Sequence, residues 1–117
     1  MDIKELSKKA RELRLKYAEF NKKRGEKIWG YAEHAQGFVG DVGNLMKLLM
    51  AKQGFRIYDD LDAKISHEMA DCLWSIITIA DELNIDLDKG FASLVDEPEE
   101  RFKNLNYRLI FNCLRYV

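Results

Sequence analysis

The sequence predicts an all-α protein, an antiparallel bundle of four to five helices. Three observations point there. The 117 residues contain one proline and seven glycines, so helix breakers are scarce. Apolar residues recur at spacings of three and four along most of the chain, the signature of amphipathic helices. Nearly half the residues are apolar and a third are charged, a balance of globular and not of disordered chains. The length suits a single domain over residues 1–117.

Residues 3–22 form the first predicted helix, with Ile3, Leu6, Ala10, Leu13, Tyr17 and Phe20 on one face and Lys and Arg opposite. Gly25 can end it in a left-handed conformation. The stretch 27–36 reads as a short helix or a loop. It gathers Trp29, Tyr31 and His34, which either pack against the bundle or wall a site for a planar ligand. The second helix covers 36–53, and its Gly37, Gly40 and Gly43 share a stripe. Each interior glycine costs a helix up to ~1 kcal/mol relative to alanine, so the stripe predicts a close approach, most simply by a neighbouring helix.

Gly54 closes that helix, and Asp60 or Asp62 can cap the third, over 62–83. The third is apolar nearly all round and is expected to be central. Asn84 can end it. Asp86 can cap a fourth helix from Leu87 to about Val95, and Pro98 suits the first turn of a fifth reaching Arg115, with Phe102, Leu105, Leu109, Cys113 and Tyr116 at helical spacing.

Charge excludes some functions. The net charge of −1 does not suit a binder of DNA or RNA polymers. Residues 1–30 hold ten Lys/Arg and five Asp/Glu, a net of +5, which leaves nine and fifteen, a net of −6, for the rest. A basic arm of this kind can meet phosphates or another subunit's acidic body, although a solvated helix face is the plainer account. No apolar run is long enough to span a membrane, and the N-terminus lacks an apolar leader core, so a cytoplasmic protein is expected. Cys72 sits in an apolar helical run and reads as a small core residue.

Chemistry concentrates in two stretches. Asp41 and Asn44 lie three residues apart on the second helix, and Glu68 and Asp71 lie three apart on the third. Residues i and i+3 share a helix face. If the two helices pack antiparallel, four oxygen ligands converge, the donor set of a hard divalent cation such as Mg2+, with Mn2+ the other candidate. A carboxylate pair on an apolar helix needs partners, whether a metal, water at the helix edge, or Lys and Arg. His67-Glu68 begins like a zinc-protease motif, but Asp71 occupies the position of the second histidine. No P-loop, dinucleotide fingerprint or Cys-x-x-Cys is present.

These stretches resemble the two motifs of the MazG-like, all-α nucleoside triphosphate pyrophosphohydrolases, Glu-Glu-x-x-Glu followed by Lys and Glu-Glu-x-x-Asp. Gly40-Asp41-Val42-Gly43-Asn44-Leu45 with Lys47 stands at the first, and His67-Glu68-Met69-Ala70-Asp71 at the second. The run Ala80-Asp81-Glu82-Leu83-Asn84-Ile85-Asp86-Leu87 is similar to the family's A-D-x-L-G-I-D-L tail. The likeness spans roughly residues 28–95. It implies attack of water on the α-phosphorus of a nucleoside triphosphate, giving monophosphate and pyrophosphate, with metal at Asp41, Asn44, Glu68 and Asp71. Asp41 or Glu68 also orients the water in this reading. It implies a homodimer or a dimer of dimers. Lys47, Lys52 and Arg56 become candidates for phosphate, and Trp29, Tyr31, His34 and Trp74 for the base. The chain departs from the pattern at Gly40, where an acid is usual, at Asp41, a shorter acid than Glu, and at Asn44, which can coordinate through its carbonyl but carries no charge. These departures favour an alternative, a nucleotide-binding or regulatory module with weakened catalysis.

Overall fold

A computed structural model describes residues 1–104. The described residues form four helices and no strand: α1 (Ile3–Lys23), α2 (Tyr31–Lys52), α3 (Leu61–Glu82) and α4 (Leu87–Asn104). The chain divides into two compact units, Met1–Ile85 and Asp86–Val117.

In the first unit, α1 starts where the Asp2 carboxylate accepts a hydrogen bond from the Glu5 amide at 2.9 Å, satisfying an otherwise orphaned N–H. It ends before Gly25, whose φ of 68° is left-handed, as its position foretold. The link to α2 is tied down at both ends. The Asn21 side chain donates to the Lys27 carbonyl at 3.3 Å, and Lys27 pairs with Glu33 at 2.5 Å. The sequence-based start of the second helix at 36 is five residues late. Gly30 is the N-cap, in extended conformation and with no side-chain capping bond, so the usual Ser, Thr, Asp or Asn signal is missing.

Helices α2 and α3 are antiparallel neighbours. Lys52 at the end of α2 meets Asp62 at the start of α3 (2.6 Å), while Asp41 in mid-α2 lies beside Asp71 further along α3. Asp60 occupies the N-cap position of α3 but has a left-handed φ of 51° and makes no capping bond. Asn84 is also left-handed (φ 54°) and ends α3.

Helix α3 packs on both α1 and α2. Its buried side is Cys72, Ser75, Ile77, Thr78 and Ala80, joined by Ala10 from α1 and by His34, Leu48 and Ala51 from α2. The third helix is central as expected, but its neighbours do not cover all of its apolar positions. Met69, Leu73 and Ile76 form an exposed stripe on α3, as do Val39, Met46 and Met50 on α2. The glycine stripe is also not a helix–helix contact within this unit. A Cβ at Gly37 would lie 3.2 Å from the Trp29 ring, whereas Gly40 and Gly43 face open space.

The α1–α3 contact is polar at one end and aromatic at the other. Arg11 grips Asp81 in a two-pronged pair, and Arg14 donates to Asp81 at 3.1 Å and to Glu82 at 3.3 Å. The Trp74 indole N–H donates to the Ala10 carbonyl at 3.2 Å, and its ring meets Tyr17 edge-on with centroids 5.8 Å apart.

In the second unit, Asp86 caps α4 by accepting from the Lys89 amide at 3.0 Å. The sequence suggested a break before Pro98, yet α4 is continuous to Asn104. Pro98 therefore lies inside α4, a position that ordinarily costs a helix ~3 kcal/mol through a lost hydrogen bond and a clash with the carbonyl four residues earlier. The remainder of the expected fifth helix, with Leu105, Leu109, Cys113, Arg115 and Tyr116, lies outside the described residues. No helix among the described residues is long and apolar enough to cross a membrane.

Candidate metal centre and flanking cavities

The antiparallel pairing of α2 and α3 brings the three expected carboxylates together. Asp41, Glu68 and Asp71 each offer a carboxylate oxygen, and these oxygens lie within 4.8 Å of one another. All three side chains are half-buried. Opposite ligands on an octahedral ion with bonds of ~2.1 Å stand ~4.2 Å apart and adjacent ones ~3.0 Å, so the spacing is of the right size for one shared cation.

The electrostatics point the same way. Burial, reinforced by the charge of Asp71, raises the Asp41 carboxyl above its usual range, and His67 only partly offsets this. The Cys72 thiol beneath is also pushed up, first by burial and then by Asp41, Glu68 and Asp71. Among the described residues, no Lys or Arg forms an ion pair with the three acids. Only His67 reaches them, its Nε2 lying 3.3 Å from Asp71 Oδ2. Glu68 Oε2 is buried with no hydrogen-bond partner. A carboxylate oxygen without a partner beside two other acids fits a divalent cation or a water bound to one.

The three acids stand where two cavities meet. The first, about 610 Å³, is walled by α1, the α1–α2 link, α2 and α3, and includes Asp41 and Asp71. Its aromatic wall is Tyr17, Trp29, His34 and Trp74. The His34 ring meets Trp29 at 5.6 Å and Trp74 at 5.3 Å, both edge-on. His34 is 3% exposed, yet both its ring nitrogens lack a partner among the described residues. Burial lowers its pKa, which keeps the imidazole neutral, with one nitrogen able to donate and the other to accept. Arg14 contributes a guanidinium to the same wall.

The second cavity, about 500 Å³, is walled by α2, α3 and their connection and includes Asn44, Lys47, Tyr58, Lys64 and Glu68. Lys64 lies over the Tyr58 ring at 5.3 Å. His67 borders both cavities.

Asp41, Glu68 and Asp71 converge, and Asn44 lines the second cavity together with Glu68 and Lys47. Trp29, His34 and Trp74 share the first cavity, and Tyr31 is exposed outside both. Lys52 is engaged by Asp62, Arg56 lies on the exposed α2–α3 connection, and neither lines either of these two cavities.

Three residues were missed. Lys64 and His67 carry a signal, since Lys64 precedes Glu68 by four positions and His67 precedes Asp71 by four, one helical turn each. Arg14 carries none, because only the packing of α1 on α3 brings it in. Comparisons with protein-family models, curated proteins and solved structures give no match.

Proposed function

We propose that the protein is a metal-dependent nucleoside triphosphate pyrophosphohydrolase of the MazG-like kind, releasing monophosphate and pyrophosphate. The observation that carries the reading is the position of Asp41, Glu68 and Asp71 between an aromatic cavity and a lysine-bearing one. A nucleoside triphosphate has that polarity: a planar base at one end, a polyanion at the other, and a reacting phosphorus between.

Each part of the chain has a role in this reading. Trp29 and Trp74 offer ring surface to a base, and neutral His34 offers it a donor and an acceptor. Lys47 and Lys64 supply positive charge for the β- and γ-phosphates. A divalent cation held by Asp41, Glu68 and Asp71, Mg2+ or Mn2+, would neutralise charge developing on the phosphate oxygens and make a bound water more acidic. Glu68 Oε2, buried and unpartnered, is suited to accept a hydrogen bond from the attacking water and align it with the α-phosphorus. Asp41 and Asp71 would hold the ion together with Glu68. Asn44 would add a neutral oxygen where a further acid is usual in the resembled family, so a single ion, held more weakly than by four acids, is expected.

The exposed apolar stripes of α2 and α3, together with the open Gly40 and Gly43, support assembly as a homodimer. A second reading keeps the nucleotide site but not turnover, and the uncharged Gly40 and Asn44 favour it. Pyrophosphate release separates the two. Purified protein is incubated with canonical and modified nucleoside triphosphates and Mg2+ or Mn2+. Turnover abolished by Glu68→Gln supports the enzyme. Nucleotide binding without turnover selects the second reading, and neither metal nor nucleotide binding removes both.

A further inference from the structure

The three glycines of α2 do not share one environment. Gly40 and Gly43 face open space, whereas a Cβ on Gly37 would lie 3.2 Å from Cζ3 and 3.8 Å from Cη2 of the Trp29 ring. We propose that Gly37 is the positioning residue of the aromatic cavity: with no side chain of its own, it lets the Trp29 ring lie against α2 and form the wall on which a planar heteroaromatic ring stacks. The role rests on the proposed nucleotide function and deepens it at the base end.

Geometry carries the assignment. His34 and Gly37 are three residues apart on α2 and share a face. The Trp29 ring spans both positions, lying over Gly37 and meeting the His34 ring edge-on with centroids 5.6 Å apart. His34 in turn meets Trp74 at 5.3 Å, so the seat of Trp29 sets the spacing of the aromatic wall. The backbone that carries Trp29 is tied on both sides. Gly30, next in the chain, is the N-cap of α2, and Asn21 donates to the Lys27 carbonyl just before it. The ring is 47% exposed, so a side chain at position 37 pushes it outward into water.

The steric demand is graded. Two carbons pack best at ~3.5–4.0 Å, so an alanine Cβ at 3.2 Å asks the ring to give by a few tenths of an ångström. A leucine takes the place the ring now fills. Both residues are better helix formers than glycine, so neither weakens α2 through its backbone. A change in ligand binding then reports the ring and not the helix.

Calorimetric titration of the full-length chain in Mg2+ tests this without reference to turnover. The probes are the four canonical ribonucleoside triphosphates and, as a control without a base, inorganic triphosphate. Gly37→Leu is expected to weaken the tightest-bound nucleoside triphosphate about tenfold or more, and Gly37→Ala about two- to threefold, because the base loses its stacking surface. Both variants are expected to bind inorganic triphosphate within about twofold of wild type. Trp29→Ala is expected to lose as much as Gly37→Leu, and the double variant no more than either, since the glycine acts through the ring. Acrylamide quenching of tryptophan fluorescence is expected to rise in Gly37→Leu, with Trp29→Ala giving the signal of Trp74, the only other tryptophan. Unchanged nucleoside triphosphate binding in Gly37→Leu, an equal loss for inorganic triphosphate, or a further loss in the double variant overturns the inference while the nucleotide site stands. If circular dichroism shows helix lost in Gly37→Leu, Gly37→Ala decides by the same criteria. Wild-type protein that binds none of the four nucleoside triphosphates removes the nucleotide site itself, and the role of Gly37 with it.

Discussion

Asp81→Asn tests how the first cavity is held together. Asp81 is the hinge of the α1–α3 contact, receiving Arg11 through both carboxylate oxygens and Arg14 at 3.1 Å. Its side chain is 12% exposed and that of Arg14 is 23%, so this pair is shielded from water, while half-exposed Arg11 adds less. Asparagine keeps an acceptor but loses the charge. A hydrogen bond to a charged group contributes ~1.5–3 kcal/mol net, against ~1 for a neutral one, so the substitution is expected to cost ~1–2 kcal/mol, or ~5–10 °C in Tm for a domain of this size. The pH dependence gives an independent check. Arg11, and then Arg14, hold the Asp81 carboxyl below the usual carboxylate range. A depressed folded pKa means the stabilisation is fully present above the unfolded value, about 3.9, and is lost as pH falls through the folded value. Urea unfolding of both proteins at neutral pH and below pH 4 measures this. The gap between them is expected to be widest at neutral pH and to close in acid. Equal stability at neutral pH, or a gap that ignores pH, would refute the reasoning.

Other perturbations address the site and its surroundings. Asp41→Asn is expected to raise Tm in metal-free buffer at neutral pH and to abolish metal binding. The Asp41 pKa is raised by burial, so its contribution to stability exists only at low pH and is lost as pH rises through the folded value; scanning calorimetry with and without Mn2+ reads both effects. Asn44→Glu places a fourth acid beside Glu68 and is expected to tighten metal binding about tenfold or more by calorimetric titration, and unchanged or weaker binding counts against Asn44 as a site residue. Gly40→Ala with Gly43→Ala meets open space within the unit and is expected to stabilise a monomer by ~1–2 kcal/mol. Destabilisation in the same melt would mean that something packs on that stripe, and sedimentation at two concentrations identifies a second copy.

The long periodic segments were legible because their patterns run for five or six turns. The sequence placed α1 and α3 within one residue at each end. The α2 boundary was hidden because Gly30 caps it without a side chain. The continuity of α4 was hidden because proline suits a first turn and is strongly disfavoured in a helix interior, where α4 places it. At the site, the acids were visible as i, i+3 pairs on two helices, and antiparallel packing brings Asp41, Glu68 and Asp71 together. The division into two cavities was not visible. It depends on where α1 lies against α3, which Arg14, Asp81 and Trp74 decide through contacts more than sixty residues apart in sequence. Nor could the pattern show that the apolar positions of α3 outnumber those its neighbours cover, since burial is set by packing and not by periodicity.

The central claim is that water, steered by Glu68 beside a metal held with Asp41 and Asp71, attacks the α-phosphorus of a nucleoside triphosphate. Phosphorus NMR of the products formed in isotopically heavy water tests it most directly, because the attacked phosphorus retains the labelled oxygen. The expected result is label in the nucleoside monophosphate, none in pyrophosphate, and no products from Glu68→Gln. Label in pyrophosphate or inorganic phosphate, or products undiminished in Glu68→Gln, would contradict it.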